Sequence, residues 1–217
     1  MKPIQLYSLA TPNGQKISVA LEELELPYQA ITVNILKGEQ FTAEFIAKNP
    51  NSKIPVIVDP NGPNGEEITI MESGAILLYL AEKTGRLLSD HPIERMETIQ
   101  WLFFQMASIG PMFGQFGHFF KYAGERCTHP YPLERYQTEA IRLLKVLDQR
   151  LEGRNYLVGE QYSIADIAIF PWVECLRGFY KASKELELES FHNVLRWLEK
   201  CLARPKTEDA MRVCSDI

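Results

Sequence analysis

The sequence has 217 residues, 46% of them hydrophobic and 24% charged, with a formal net charge of −5; that is enough apolar chain for a buried core in one large or two modest domains. No block of Lys or Arg stands out, which argues against a nucleic-acid or anionic-membrane footprint, and no run approaches the ~18 apolar residues of a membrane span. The N-terminus enters a strand pattern without the apolar h-region of a signal peptide, and the four scattered cysteines (Cys127, Cys175, Cys201, Cys214) make neither CxxC nor zinc-type spacing, so the expectation is a cytoplasmic chain with free thiols and no metal.

In chain order, Ile4 and Leu6 alternate with polar neighbours and predict a first strand. Thr11-Pro12-Asn13-Gly14 then reads as a helix start, with Thr11 as N-cap and Pro12 at the first helical position. Ile17, Ala20, Leu21 and Leu24 follow at helical spacing. Ile31, Val33 and Ile35 alternate again and predict a second strand. Val56-Ile57-Val58 and Ile68-Thr69-Ile70-Met71 are short β-branched runs separated by Asp59-Pro60-Asn61-Gly62-Pro63-Asn64-Gly65, a strong turn signal. A helix carrying Ala75, Ile76, Tyr79 and Leu80 comes next. The order reads β-α-β-α-β-β-α and predicts a four-stranded sheet with helices on its faces.

The stretch 84–92 reads as a linker, with Gly85 at a helix C-terminus and Pro92 in the first turn of the next helix. Everything after it is helical. Ile93, Met96, Ile99 and Phe103 share one face of a helix that runs on to about Tyr122, and Gly110-Pro111 should kink or break it. Leu133, Tyr136, Ala140, Leu144, Leu147 and Leu151 form a second stripe. Ser163-Ile164-Ala165-Asp166 is a capping box, with Tyr162 and Ile167 as its hydrophobic staple. Asp166 is therefore read as structural, despite being an acid at a helix head.

Three stretches of the first third carry chemistry. Asn13 lies in a first helical turn, where unpaired N–H groups and the dipole attract an anion. In Asn51-Ser52-Lys53-Ile54-Pro55-Val56, a proline just before a buried strand is a candidate cis bond, and an extended peptide could pair with the backbone of Ile54. In Met71-Glu72-Ser73-Gly74, Ser73 can cap a helix that receives a ligand carboxylate while Glu72 holds a ligand ammonium. Taken alone, each stretch has a plain structural reading: a helix cap, a trans proline opening an edge strand, a second cap.

Together they resemble the thioredoxin-like domain of glutathione transferases, and the linker and helical part with its Ser-Ile-Ala-Asp box resemble that family's second domain. Within the family, "TPNG", "KGEQF", "NSKIPV", "ESGAILLYLAEKTG", "QWLFFQMASIGPMFGQ" and "ERYQTEA" look closest to the nu class, which includes bacterial glutathione-dependent disulfide-bond reductases and is related to a yeast nitrogen-regulatory prion protein. The resemblance covers essentially the whole chain. It implies an α/β thioredoxin-like N-terminal domain with a four-stranded mixed sheet (1–83), a linker (84–92) and an all-α C-terminal domain (93–217).

The resemblance also implies site residues. Tyr7 and Ser8, at the end of the first strand, could be mistaken for the tyrosine or serine that activates the thiol in many family members. The nu-class match falls instead on Thr11 and Asn13 as catalytic donors to a thiolate. Gln40 would contact the glycyl end of glutathione, and Ile54, with Lys53 and Pro55 beside it, the cysteinyl unit. Glu72 and Ser73 would hold the γ-glutamyl end. Arg135 would add a contact from the helical part, or else form a surface pair with Glu134 or Glu139. The ligand would be glutathione, reduced or as glutathione disulfide, with small disulfides or electrophiles as partners.

No cysteine lies in these stretches, so both redox sulfurs would belong to ligand. The leading expectation is a glutathione-dependent thiol:disulfide oxidoreductase. The alternatives are a transferase that conjugates glutathione to electrophiles and a non-catalytic glutathione-binding regulatory module. A homodimer is implied by the family, with the helix around Gln100, Trp101 and Gln105 as its sequence support.

Overall fold

The computed structural model describes residues 2–216. They form two compact units: one runs to Leu88 and takes in the segment from Ala203 onward, and the other is Ser89–Leu202.

The first unit is built on a sheet with strand order β2-β1-β3-β4, formed by β1 (Ile4–Ser8), β2 (Tyr28–Thr32), β3 (Val56–Asp59) and β4 (Ile68–Met71). β1 pairs parallel with β2 and antiparallel with β3, and β3 pairs antiparallel with β4. All four residues of β3 are buried, as a central strand between two layers requires. Helices α1 (Pro12–Glu23), α2 (Ala43–Lys48) and α3 (Ser73–Thr84) complete the β-α-β-α-β-β-α order.

The second strand lies earlier than its alternating pattern suggests. It pairs over Tyr28–Thr32, and Asn34 then turns the chain into a short 3-10 segment, Ile35–Lys37, by accepting the N–H groups of Leu36 and Lys37 at 3.0 and 3.2 Å. An asparagine that binds its own downstream backbone ends a strand more decisively than two further apolar residues prolong it.

The segment from Ala203, expected with the helical domain, is part of the first unit. Arg204 grips Glu23 with two hydrogen bonds of 2.6 and 2.7 Å, and α9 (Thr207–Met211) packs on α1. Gln15 donates its side-chain N–H to the carbonyl of Met211 at 3.1 Å, and the Ala10 N–H donates to the carbonyl of Cys214 at 3.2 Å.

The helical unit contains α4 (Pro92–Phe104), α5 (Gly110–Gly117), α6 (Tyr131–Arg150), α7 (Ile164–Glu174) and α8 (His192–Leu202). Gly110-Pro111, expected to kink or break the helix, does not break it. The residues bounding the junction stay in the right-handed helical region, and a π-helical turn, Gln105–Ile109, joins α4 to α5. A wider turn shifts the hydrogen-bond register just before Pro111, which has no N–H to donate. On α6, Ala140, Leu143, Leu144 and Leu147 are buried. On α4 the apolar face is not: Ile93, Met96 and Phe103 are 74%, 55% and 67% exposed. Gln105, by contrast, is buried, so it does not share a free face with Gln100.

The box at α7 closes as its sequence predicts. Ser163 Oγ accepts the Ala165 N–H, and Asp166 accepts the Ser163 N–H at 3.0 Å. Asp166 also accepts the Leu157 N–H at 2.9 Å and the Trp197 indole N–H at 2.8 Å. It is fully buried, and burial raises its pKa against the pull of these donors.

Candidate functional site

The sheet register gathers the three stretches at one end of the first unit. Tyr7 pairs with Val56 and Val56 with Met71. One step further along these antiparallel pairs, Pro55 falls between Ser8 and Glu72. Ser8 leads into the head of α1, and Glu72 into the head of α3.

At the head of α1, Thr11 is the N-cap and Pro12 the first helical residue, as expected. Thr11 Oγ1 accepts the Gly14 N–H at 3.3 Å, which leaves the hydroxyl proton to donate elsewhere. Gly14 permits this tight turn. A Cβ there would lie 2.0 Å from the Leu9 carbonyl oxygen and 2.4 Å from Ser8 Oγ. Ser8 itself is buried and donates to the Leu9 carbonyl.

Tyr7 faces away from this turn. Strand alternation puts it on the opposite face from Leu6 and Ser8. Its hydroxyl donates to Gln5 at 3.1 Å, and its ring packs on the cluster of Val33, Phe45 and Val56 with Lys48 5.0 Å above it. There it lines a cavity of ≈ 230 Å³ together with Glu39, Thr42 and Phe45.

The head of α3 differs in detail from its reading. Ser73 is the first helical residue rather than the cap, and no side chain caps this helix. Glu72 precedes it with φ 70° and ψ 116°, a backbone conformation that costs an L-residue energy and clusters at ligand sites. Its side chain is exposed, whereas Ser73 is buried.

Asn13 and Ser73 are joined by a residue the sequence reading passed over. Lys16 is fully buried, and its ammonium donates to Asn13 Oδ1 at 2.8 Å and to Ser73 Oγ at 3.2 Å. Burial lowers its pKa well below the ordinary lysine value, and the charge of Glu72 pulls the other way. The signal lay in the spacing: Lys16 sits three residues after Asn13 and one before Ile17, a charge among the inward positions of an apolar helix.

The remaining expected contacts lie around this centre. Ile54-Pro55 is a cis peptide, as the sequence suggested. Ile54 packs on the same cluster as Tyr7, and Lys53 is exposed, its carbonyl accepting the Asn49 side-chain N–H at 2.7 Å. Gln40 lies in the 3-10 turn Glu39–Phe41. Its amide donates to the Ile35 carbonyl at 3.3 Å, while its Oε1 is buried without a protein partner. Arg135 is exposed in the first turns of α6 within the helical unit; the neighbouring Glu139 is gripped by Arg142 at 2.7 Å.

The cysteines fall into two kinds. Cys175 and Cys201 are buried, and burial pushes the Cys175 thiol up to about 12. Cys127 and Cys214 are partly exposed. Cys214 lies nearer the α1 turn than its place in the tail suggested, through its carbonyl's bond to Ala10. Its thiol is hydrogen-bonded to Thr32, and burial raises its pKa.

Family models describe both parts of the chain. The glutathione S-transferase N-terminal domain matches residues 10–83, and the glutathione S-transferase C-terminal domain matches residues 123–205. The chain is 48% identical to the disulfide-bond oxidoreductase YfcG of Escherichia coli, over 96% of this chain and 94% of that protein. A glutathione transferase from Pseudomonas putida, solved with one glutathione disulfide bound per subunit, superposes with a TM-score of 0.95 at 49% identity, covering 97% of this chain and 91% of that one. A glutathione transferase from Burkholderia graminis, solved with two glutathione molecules bound per subunit, gives 0.95 at 52% identity, over 97% and 88% of the two chains.

Proposed function

The chain belongs to the glutathione S-transferase family, and on that premise we propose that it is a glutathione-dependent thiol:disulfide oxidoreductase whose redox sulfurs are those of bound glutathione. The observation that carries this reading is the head of α1. It offers a hydroxyl, an amide and helix N–H groups to an anion, and neither this turn nor the head of α3 contains a cysteine.

A glutathione thiol docked there loses its proton to solvent because its anion is stabilised. Helix N-termini and nearby positive charge lower thiol pKa values from about 8.5 into roughly the 3.5–7.5 range. Thr11 Oγ1–H and the Asn13 amide N–H donate to the sulfur. The thiolate attacks one sulfur of a substrate disulfide, the S–S bond breaks, and the departing thiolate takes a proton from solvent. A second glutathione thiolate then attacks the glutathione sulfur of the mixed disulfide. Glutathione disulfide forms, and the second substrate thiol leaves. Two electrons pass from two glutathiones to one disulfide, with no protein sulfur involved.

Gln40, Ile54, Glu72 and Ser73 hold the peptide body of the first glutathione in this scheme, and Lys53 and Pro55 frame it. Arg135 supplies a planar fork for a carboxylate of the second. YfcG's designation as a disulfide-bond oxidoreductase and the two glutathiones in the Burkholderia structure support the two-thiol stoichiometry. The bare apolar face of α4 supports a homodimer, and four cysteines without a disulfide suit the cytoplasm. Among the described residues no helix is long and apolar enough to cross a membrane.

Turnover of a small symmetrical disulfide, with glutathione disulfide production followed alongside, tests the reading. One glutathione disulfide should form per substrate disulfide reduced, and calorimetry should count two glutathione molecules per chain. Conjugation of an electrophile without any disulfide reduction would replace this reading with that of a conjugating transferase.

A further inference from the structure

We propose that Lys16 is a positioning residue for the glutathione thiolate: its buried ammonium holds Asn13 by Oδ1 and so turns the amide N–H groups outward to the sulfur, while its bond to Ser73 locks the head of α1 to the head of α3. This rests on the functional reading above.

The polarity of the ammonium makes the argument. A protonated lysine offers three donors and no acceptor. Asn13 must therefore present Oδ1 to it, at 2.8 Å, and Nδ2 on the opposite side. With a neutral, apolar residue at position 16 this hold on Oδ1 is lost, and the amide can turn its oxygen to the ligand, where it would repel a thiolate. The Ser73 oxygen likewise faces Lys16 as an acceptor, at 3.2 Å.

A second contribution comes from charge. The ammonium is shielded from water, so its field on the neighbouring turn is weakly screened. The charged neighbour that acts on it is Glu72, at the head of α3. An anion bound at the α1 head favours the protonated lysine, and the protonated lysine favours the anion. Burying an ammonium is costly for folding; an anionic ligand offsets part of that cost.

The test is an ultraviolet titration of the bound glutathione thiolate in the wild-type protein and in Lys16→Met, with thermal melts to confirm folding. The wild type should show a depressed thiol pKa. In Lys16→Met the pKa should rise by about one unit or more, so that turnover with saturating glutathione falls about tenfold near neutral pH and recovers at alkaline pH. A purely structural lysine would lower the melting temperature without moving that profile. An unchanged thiol pKa in a folded Lys16→Met protein overturns the inference and leaves the oxidoreductase reading intact. A wild-type protein that binds glutathione without depressing its thiol pKa overturns both.

A second measurement needs no variant. The Asn13 side-chain N–H resonances of the wild type should shift with the thiol titration when glutathione is bound, and should show no such titration with S-methylglutathione, which has no thiolate. Asn13 resonances that behave alike with both ligands contradict the proposed orientation.

Discussion

The heads of α1 and α7 solve the same problem in opposite ways. Each opens with a hydroxyl cap that accepts a first-turn N–H. At α7 an acid completes the cap: Asp166 takes the N–H groups of Ser163 and Leu157 and the indole of Trp197, and is buried. The positive end of that helix is neutralised from within. At α1 the charged residue of the first turns is a cation. Lys16 adds positive charge where the dipole is already positive, and it donates to Asn13 and Ser73. A helix head closed by an acid is a structural joint. A head with a buried lysine beneath it adds positive charge to the positive end of the dipole, which favours a ligand anion.

Removing the acid should do the most damage. Asp166→Ala leaves four buried donors without their acceptor (the Ser163 N–H and hydroxyl, the Leu157 N–H and the Trp197 indole), each worth about 1–3 kcal/mol. The melting temperature should drop severely, and in any protein that still folds the glutathione thiol pKa should be unchanged. A titration that moved with Asp166 would break the distinction between the two helix heads.

Gly14→Ala should come next. The new Cβ must displace the Leu9 carbonyl or Ser8. Overpacking of this kind costs about 1–3 kcal/mol, and here it also reshapes the turn that carries Thr11 and Asn13. Glutathione affinity, read by calorimetry, should fall along with stability.

Thr11→Ala and Asn13→Ala sharpen the functional side. Each removes a donor to a charged sulfur, worth about 1.5–3 kcal/mol, so turnover should fall roughly ten- to a hundredfold. Stability should fall by about 1–3 kcal/mol for Asn13, whose loss takes an acceptor from the buried Lys16, and by about 1 kcal/mol for Thr11 as a cap. Tyr7→Phe, which removes a hydroxyl bonded to Gln5 on the other face of the sheet, should keep most activity. Steady-state rates with a small disulfide would decide. Loss of turnover in Tyr7→Phe alone would move the thiol site to the first strand.

The smallest expected effect concerns a third acid. Asp59 is buried, which pushes its pKa up, but the Tyr79 hydroxyl, the Asn61 N–H and Lys83 together hold it below the usual value. A carboxylate with a depressed folded pKa stabilises the fold at pH above its unfolded value, about 3.9, and that stability is lost as pH falls through the folded pKa. Acid unfolding of Asp59→Asn should be shallower below about pH 4 than that of the wild type. The raised pKa of Asp166 has the opposite sign, so its protonation there does not explain acid loss.

Much of this was legible in the sequence because local hydrogen bonding decides it. Thr11-Pro12 at a helix start, the Ser163 to Asp166 box and Gly85 at the end of α3 each involve residues within a few positions of one another. The parts that were not legible depend on distant partners. Lys16 shows its role only when α3 brings Ser73 against it, and the tail joins the first unit only through Arg204, Met211 and Cys214. Ser73 read as a cap because Ser is a good one; in the structure Glu72 takes the turn and Ser73 moves inside. The strand predicted through Ile35 ended early because Asn34 bonds to its own backbone.

The most direct measurement is the disulfide reductase rate of a protein in which Cys127, Cys175, Cys201 and Cys214 are all replaced by Ser or Ala, assayed with saturating glutathione after its fold has been verified by thermal melting. If bound glutathione supplies both sulfurs, the rate should stay close to that of the wild type, apart from losses traceable to packing around Cys175 and Cys201. A normally folded cysteine-free protein that binds glutathione but reduces no disulfide would contradict this and assign the second sulfur to the protein.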